Sequence, residues 1–224
     1  MIKYGALRTL IQNRFSSVLP KFESYKVLDT VIHYKKEDED TIFQVWTVVY
    51  DRRVEYEFSF QLAVTNIKTE LLFSVFTKNE YVEKQSFTIG VYFPKELHRY
   101  YATTDAEIEV WINKAENEIE KNIEQLTKYH DKIELEKLFN YNFKNKPIEQ
   151  LDINHNQIIK GLIMAKLLNE VDYLFLYDKA FKIYEYGGFV DSLIAECKEL
   201  NLFLNMHSKQ NLSDINYLKQ LLKK

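Results

Sequence analysis

The residue types that carry most enzyme chemistry are thinly spread in this 224-residue chain. Its five histidines are His33, His98, His130, His155 and His207; none stands four residues from another, and neither HExxH nor HxH occurs. With Cys197 the single cysteine, a zinc site of the common kinds is not expected, because their ligands come in closely spaced pairs. Glycine stands only at positions 5, 90, 161, 187 and 188, too sparse for a phosphate-cradling loop. No GxSxG marks a nucleophile elbow. No cofactor and no metal is expected.

Three looser groupings remain. Glu55 and Glu57 fall on one face of an expected strand, beside Arg52 and Arg53. As a general acid–base pair they would need a cleft and one raised pKa; charge alternating along the solvent face of a strand is the plainer account. His98-Arg99-Tyr100-Tyr101 reads as a loop after the sheet, with a histidine that has no partner nearby in sequence. The third grouping lies on the helix expected over 105–129. Glu109, Asn113, Glu116, Glu120 and Glu124 share one flank with no basic residue among them, whereas Lys114 and Lys121 share the other with Glu107 and Glu118. The mixed flank can form pairs three and four residues apart. The acidic flank is plain solvated surface, a docking ridge for a basic partner, or a surface covered by the C-terminal helices through lysines such as Lys160 or Lys179, and its five residues are the partner-binding candidates. Replacing its four glutamates by Gln is expected to leave folding intact. No catalytic residue is assigned.

The elements that would position these groups are legible as a pattern. Leu7, Leu10, Ile11, Phe15 and Val18 recur at spacings of three and four, predicting a helix over 3–18 that Pro20 ends. Strands are expected over 25–36 and 41–50, with the charged run 37–40 as the tip between them. The clearest strand covers 54–64: Val54, Tyr56, Phe58, Phe60, Leu62 and Val64 alternate with mostly polar residues, as one face of an antiparallel sheet requires. Residues 71–78 and 85–93 read as two more strands. Thr103-Thr104-Asp105 ahead of Glu107 opens the 105–129 helix, whose stripe Ile108, Ile112, Ala115, Ile119, Ile123 and Leu126 should cover the sheet. Helical patterns follow near 131–142, 148–153, 156–170, 172–186, 188–204 and 213–223, with Gly187-Gly188 as a breaker. The fold class is α+β: an N-terminal helix, a four- to five-stranded antiparallel meander packed by a long helix, then an all-helical C-terminal region. The expected division is 1–143 for the sheet domain and 148–224 for the helical region, unless the two form one continuous fold.

Composition narrows the function classes. Net charge is −3, with no basic stripe of the kind nucleic acid requires. Residues 1–19 lack the long apolar core of a signal peptide, and no run reaches the ~18 apolar residues of a spanning helix, so no membrane partner is expected and a cytoplasmic location is. Cys197 sits in an apolar helical pattern and reads as a buried structural thiol.

The helix, the meander ending in Phe87-Thr88-Ile89-Gly90-Val91-Tyr92, the Thr-Thr-Asp start and the long helix bearing Trp111, with Leu126, Asp131 and Leu135 beyond, together resemble a known group. Over about residues 5–140 the chain resembles small bacterial α+β domains found among the immunity proteins of polymorphic toxin systems. The resemblance implies a non-catalytic protein that binds and neutralises a cognate toxin, such as a basic toxin domain. An enzyme with a site assembled from Glu55, Glu57, His98 and Arg99 is one alternative. A scaffolding or oligomerising protein displaying Tyr173, Tyr177, Tyr184 and Tyr186 is another.

Overall fold

The structure is a computed structural model. It describes the chain except for residues 29–30, 39, 79–87, 93, 130, 148–149, 152–153, 169, 187–190 and 224, and it describes 23–28, 31–38, 170–171 and 186 by their backbone only. The beginning of the strand expected over 85–93, most of the helical turn expected over 148–153, and the Gly187-Gly188 break lie outside the described residues, as does His130. The chain divides into two compact units, Met1–Thr65 with Phe87–Tyr129, and Asn66–Ser86 with His130–Lys224. The division therefore differs from a single boundary near 144–148: residues 66–86 and 130–143 belong with the helical unit.

The sheet unit begins with α1 (Tyr4–Val18). No side chain caps this helix, so packing of Leu7, Ile11 and Phe15, all fully buried, fixes it. The sheet is built from β1 (Glu23–Leu28), β2 (Val31–Asp38), β3 (Thr41–Asp51), β4 (Tyr56–Asn66), β5 (Ile89–Tyr92) and β6 (Tyr100–Ala102). The strand order is β1-β2-β3-β4-β5, and β6 also pairs with β4. The single strand expected over 25–36 is thus a hairpin of two. Of the charged run expected as the tip, Glu37 and Asp38 belong to β2, with Asp38 opposite Thr41, Asp40 is buried, and residue 39 lies outside the described residues.

β5 pairs with the Leu62–Val64 stretch of β4, and β6 with its Tyr56–Phe58 stretch. A 3-10 turn at Lys95–Leu97 lies between them in the chain. The edge beside β4 is therefore one interrupted strand, and Tyr100-Tyr101, expected in a loop, are part of the sheet.

β4 buries the expected alternate residues: Tyr56, Phe58, Phe60, Leu62 and Val64 are at most 3% exposed. Val54 is the exception. It lies ahead of the strand and is 78% exposed, because the turn after β3 occupies 52–55. Against this face lies α3 (Asp105–Lys128), started by a full capping box between Thr104 and Glu107. Trp111 stacks 4.6 Å from Phe58 and donates its indole N–H to the Leu97 carbonyl at 3.3 Å. Phe15 packs edge-on against Phe60 and lies 6.2 Å from Trp111. Helix, sheet and helix thus share one aromatic core.

The helical unit comprises α2 (Ile67–Thr77), α4 (Lys132–Asn145), α5 (His155–Leu168), α6 (Glu170–Tyr186), α7 (Asp191–Met206), α8 (Lys209–Leu212) and α9 (Ile215–Leu221). The stretch 71–78, expected as a strand, is helix. Asn66 caps it by accepting the Thr69 N–H at 3.0 Å, and Lys78 closes it in the left-handed conformation. Leu71 and Leu72 join Ile159, Leu162, Tyr173, Leu176, Cys197, Leu200 and Leu204 in one core. Partly buried ion pairs lie among its helices: Lys160 holds Glu70 at 2.9 Å, and Lys144 holds Glu136 at 2.9 Å and Asp172 at 2.6 Å. No helix among the described residues is long and apolar enough to cross a membrane.

Candidate functional site

The acidic flank of α3 is divided by a residue far away in sequence. Arg14 of α1 sets its Nε 2.8 Å from Glu116 Oε1 and its Nη2 against Glu116 Oε2, a two-pronged fork. The same guanidinium reaches Glu109 Oε2 at 3.1 Å and Asn113 Oδ1 at 2.7 Å. The flank is therefore compensated over Glu109–Glu116, and three of the five partner-binding candidates serve the α1–α3 packing. Glu120 and Glu124 remain exposed, and no ion pair among the described residues reaches either side chain. The C-terminal lysines that could have covered the flank are engaged elsewhere: Lys160 on Glu70, and Lys179 on the carbonyls of Lys144 and Lys146 at 3.2 and 2.7 Å. Across the helix, Glu118 accepts the Tyr92 hydroxyl at 2.7 Å. That bond, with Lys121 beside it, holds the Glu118 carboxyl below its usual range and pushes the Tyr92 phenol up to about 12.

The candidate catalytic residues do not assemble. Glu55 lies in the turn before β4, where its carbonyl accepts the Arg52 N–H at 3.0 Å, so it does not share a strand face with Glu57. Glu57 is only 7% exposed and is held by Arg52 Nε and Nη2 at 3.0 and 2.6 Å. Arg99 takes a left-handed backbone (φ 51°) and is exposed. His98 alone enters a hollow, where its Nδ1 stands 3.1 Å from Ser59 Oγ.

That hollow, about 210 Å³, is lined by Trp46, Val48, Tyr50, Ser59, Gln61 and His98 on the face of the sheet turned away from α3, and the core residue Phe60 also reaches it. Period-two geometry brings them together. Residues 46, 48 and 50 of β3 and 57, 59 and 61 of β4 point the same way, opposite to the core residues between them. The Arg52 guanidinium stacks 5.1 Å over the Tyr50 ring. Tyr50 is 39% exposed, and Tyr101, which pairs with Glu57 across the β4–β6 ladder, is 48% exposed. The described lining carries the rings of Trp46 and Tyr50 and no Asp, Glu, Lys or Arg, and the Arg52–Glu57 pair lies beside Tyr50. Trp, Tyr and Arg are the residues that most often anchor protein interfaces. The strand 41–50 marks this face in the sequence by placing Trp46, Val48 and Tyr50 at period two.

In the helical unit, His155 Nδ1 contacts the Tyr184 hydroxyl at 2.7 Å, and its Nε2 lies 2.9 Å from Glu196 Oε2. Tyr173 and Tyr184, expected on the surface, are fully buried, Tyr177 is half-buried, and the Tyr186 side chain lies outside the described residues. Burial raises the phenols of Tyr173 and Tyr184, and it pushes the Cys197 thiol up to about 12. A thiol so protonated is inert. Among the described residues no group of three His, Cys, Asp or Glu is placed to hold a metal ion.

Comparison with protein-family models, with curated proteins and with solved structures finds no match for this chain.

Proposed function

We propose that this protein works by binding another protein, and that it is an immunity protein which neutralises a cognate toxin domain with a basic surface. The observation that carries the binding role is the aromatic sheet face, where Trp46, Val48, Tyr50 and Tyr101 stand half-buried or exposed around a shallow hollow, with Arg52 beside Tyr50. Large, stiff aromatic side chains beside an arginine bury much area for little lost conformational freedom. The toxin-directed part of the reading rests on the resemblance over residues 5–140 and on charge. The sheet unit carries 14 basic and 17 acidic side chains, a net −3, while the helical unit carries 16 of each. All of the net charge thus lies in the unit that carries the aromatic face. Glu120 and Glu124 are its exposed, unpaired part on α3, and they would steer a basic partner by long-range attraction.

The test is protection from the toxin domain encoded beside this gene. Cells expressing that domain should grow when the wild-type chain is co-expressed. The Tyr50→Lys/Tyr101→Lys variant should fail to protect while keeping its circular dichroism and melting profile. Absence of protection by the wild type would remove the immunity reading. Full protection by the folded double variant would remove the sheet face as the contact surface.

A further inference from the structure

A cavity of about 340 Å³ in the helical unit lies at the C-terminal end of α4 and the N-terminal end of α5, at the lower end of the range for small-molecule sites, roughly 300–1,000 Å³. Its floor is apolar: Phe139 and Ile158 are buried, and Phe143 and Leu151 half-buried. At its back the two helices are clamped together. Asn140 Nδ2 donates to Glu136 Oε1 at 2.7 Å and to the Gly161 carbonyl at 3.1 Å. Gly161 permits this approach, since a Cβ there would stand 2.4 Å from Asn140 Oδ1. The cavity is therefore bordered by a tight crossing fixed by a buried amide.

Its rim is chemically uniform. Asn142, Gln150, Asn154 and Gln157 present carboxamides, and Lys146 supplies one ammonium. Asn154 is partly used, its Oδ1 accepting the Gln157 N–H at 3.2 Å as the cap of α5. No hydrogen bond among the described residues engages the side chains of Asn142, Gln150 or Gln157, and no ion pair engages Lys146. No carboxylate is among the described lining residues.

The geometry points to a binding site for a small organic anion with a flat apolar body, such as an aryl carboxylate or sulfonate. The apolar floor takes the body, amide N–H groups donate to the anionic oxygens, and Lys146 supplies the one compensating charge. Among the described lining residues no acid offsets the ammonium that a cation would meet, and a fully apolar molecule would gain nothing from the carboxamides at the rim.

The probe is 8-anilinonaphthalene-1-sulfonate, an anion of this shape whose emission rises in apolar surroundings. On the full chain it should bind with one-site saturation. 2-Naphthoate should displace it, and 2-naphthylmethylammonium should displace it at least about tenfold less well. Because exposed charges interact weakly, Lys146→Gln should weaken probe binding about three- to fivefold, and Lys146→Glu about tenfold, both relieved by salt. Gln157→Trp, which fills the mouth, should abolish binding. Lys146 is exposed, so its variants test the site even if Gln157→Trp disturbs folding; thermal melting monitors both. Emission that does not saturate, equal displacement by the cation, or probe affinity unchanged in both Lys146 variants would overturn the assignment.

Discussion

Replacing Glu109 and Glu116 by Gln should destabilise the sheet unit, whereas replacing Glu120 and Glu124 should leave it unchanged or slightly more stable. Glu116, whose side chain is 14% exposed, takes two prongs of the Arg14 guanidinium; Glu109, at 46%, takes one. A partly buried charged fork lies between an exposed pair, about 0.2–1 kcal/mol, and a hydrogen bond to a fully engaged charge, about 1.5–3 kcal/mol. We assign roughly 1–2 kcal/mol to Glu116 and only a few tenths to Glu109. Relief of carboxylate repulsion returns about 0.2–0.5 kcal/mol per pair. The net loss for the first double variant is therefore about 1–2 kcal/mol, and the second double variant keeps only the relief. Urea unfolding followed by tryptophan emission reports on this unit, because Trp46 and Trp111 are the only tryptophans and both lie in it. With a urea slope of about 2 kcal/mol/M, the first midpoint should fall by roughly 0.5–1 M. Arg14→Gln should lose a similar amount, and combining it with the Glu109/Glu116 change should lose little more, since one network is broken once. Equal losses from the two halves of the flank, or full additivity with Arg14→Gln, would refute the role given to Arg14. The expectation that all four glutamates can be neutralised without loss leaves out Arg14, whose compensating charge arrives from another helix.

Three further outcomes follow from the same geometry. Phe58→Ala, removing a fully buried ring stacked on Trp111, should destabilise by about 3–5 kcal/mol; a loss below about 1 kcal/mol in urea unfolding would mean the core is misassigned. Cys197 should resist a thiol reagent at pH 8 in the native protein and react at the full rate only in denaturant, since burial keeps it protonated; rapid native labelling would contradict this. The Glu118 carboxyl is depressed chiefly by the Tyr92 hydroxyl, so its contribution is complete above its unfolded value, near 4.5, and is lost as pH falls through the folded value. Tyr92→Phe should therefore reduce stability at pH 7 and converge with the wild type in acid; a difference constant from pH 7 to pH 3 would count against the Tyr92–Glu118 bond.

The parts of the fold that were legible are those where one local signal suffices. Thr104 and Glu107 announce α3 because both halves of a capping box lie within four residues. Tyr56 to Val64 announce β4 because period two over five apolar residues fits no helix. The run 71–77 was misread because a short stretch apolar on most sides carries no period, and its β-branched and aromatic content favours a strand. The cap at Asn66 was the available signal, an amide three residues ahead of Thr69 at the end of a strand. Tyr100–Ala102 was missed because three residues cannot show alternation, and only the free edge of β4 makes them a strand.

The binding surfaces were less legible than the elements, and Arg14 and Trp46 show why. A helical projection of α3 arranges Glu109, Glu116, Glu120 and Glu124 correctly, but charge balance is a property of neighbours in space. Arg14 sits about a hundred residues away, immediately before the buried Phe15, and this packing carries it to the flank. A propensity registers the type of Trp46 within the 41–50 strand and not its direction. Its direction follows only after β3 and β4 are paired and Phe43, Val45, Phe58 and Phe60 have been assigned to the core. Once those are buried, the residues between them are left on the opposite face. The aromatic hollow is thus a consequence of the register that builds the core. A one-residue slip of β3 would turn Trp46 and Tyr50 toward α3 and expose Val45 and Val49 in their place, so the same pairing that stabilises the sheet unit determines which aromatics remain for a partner.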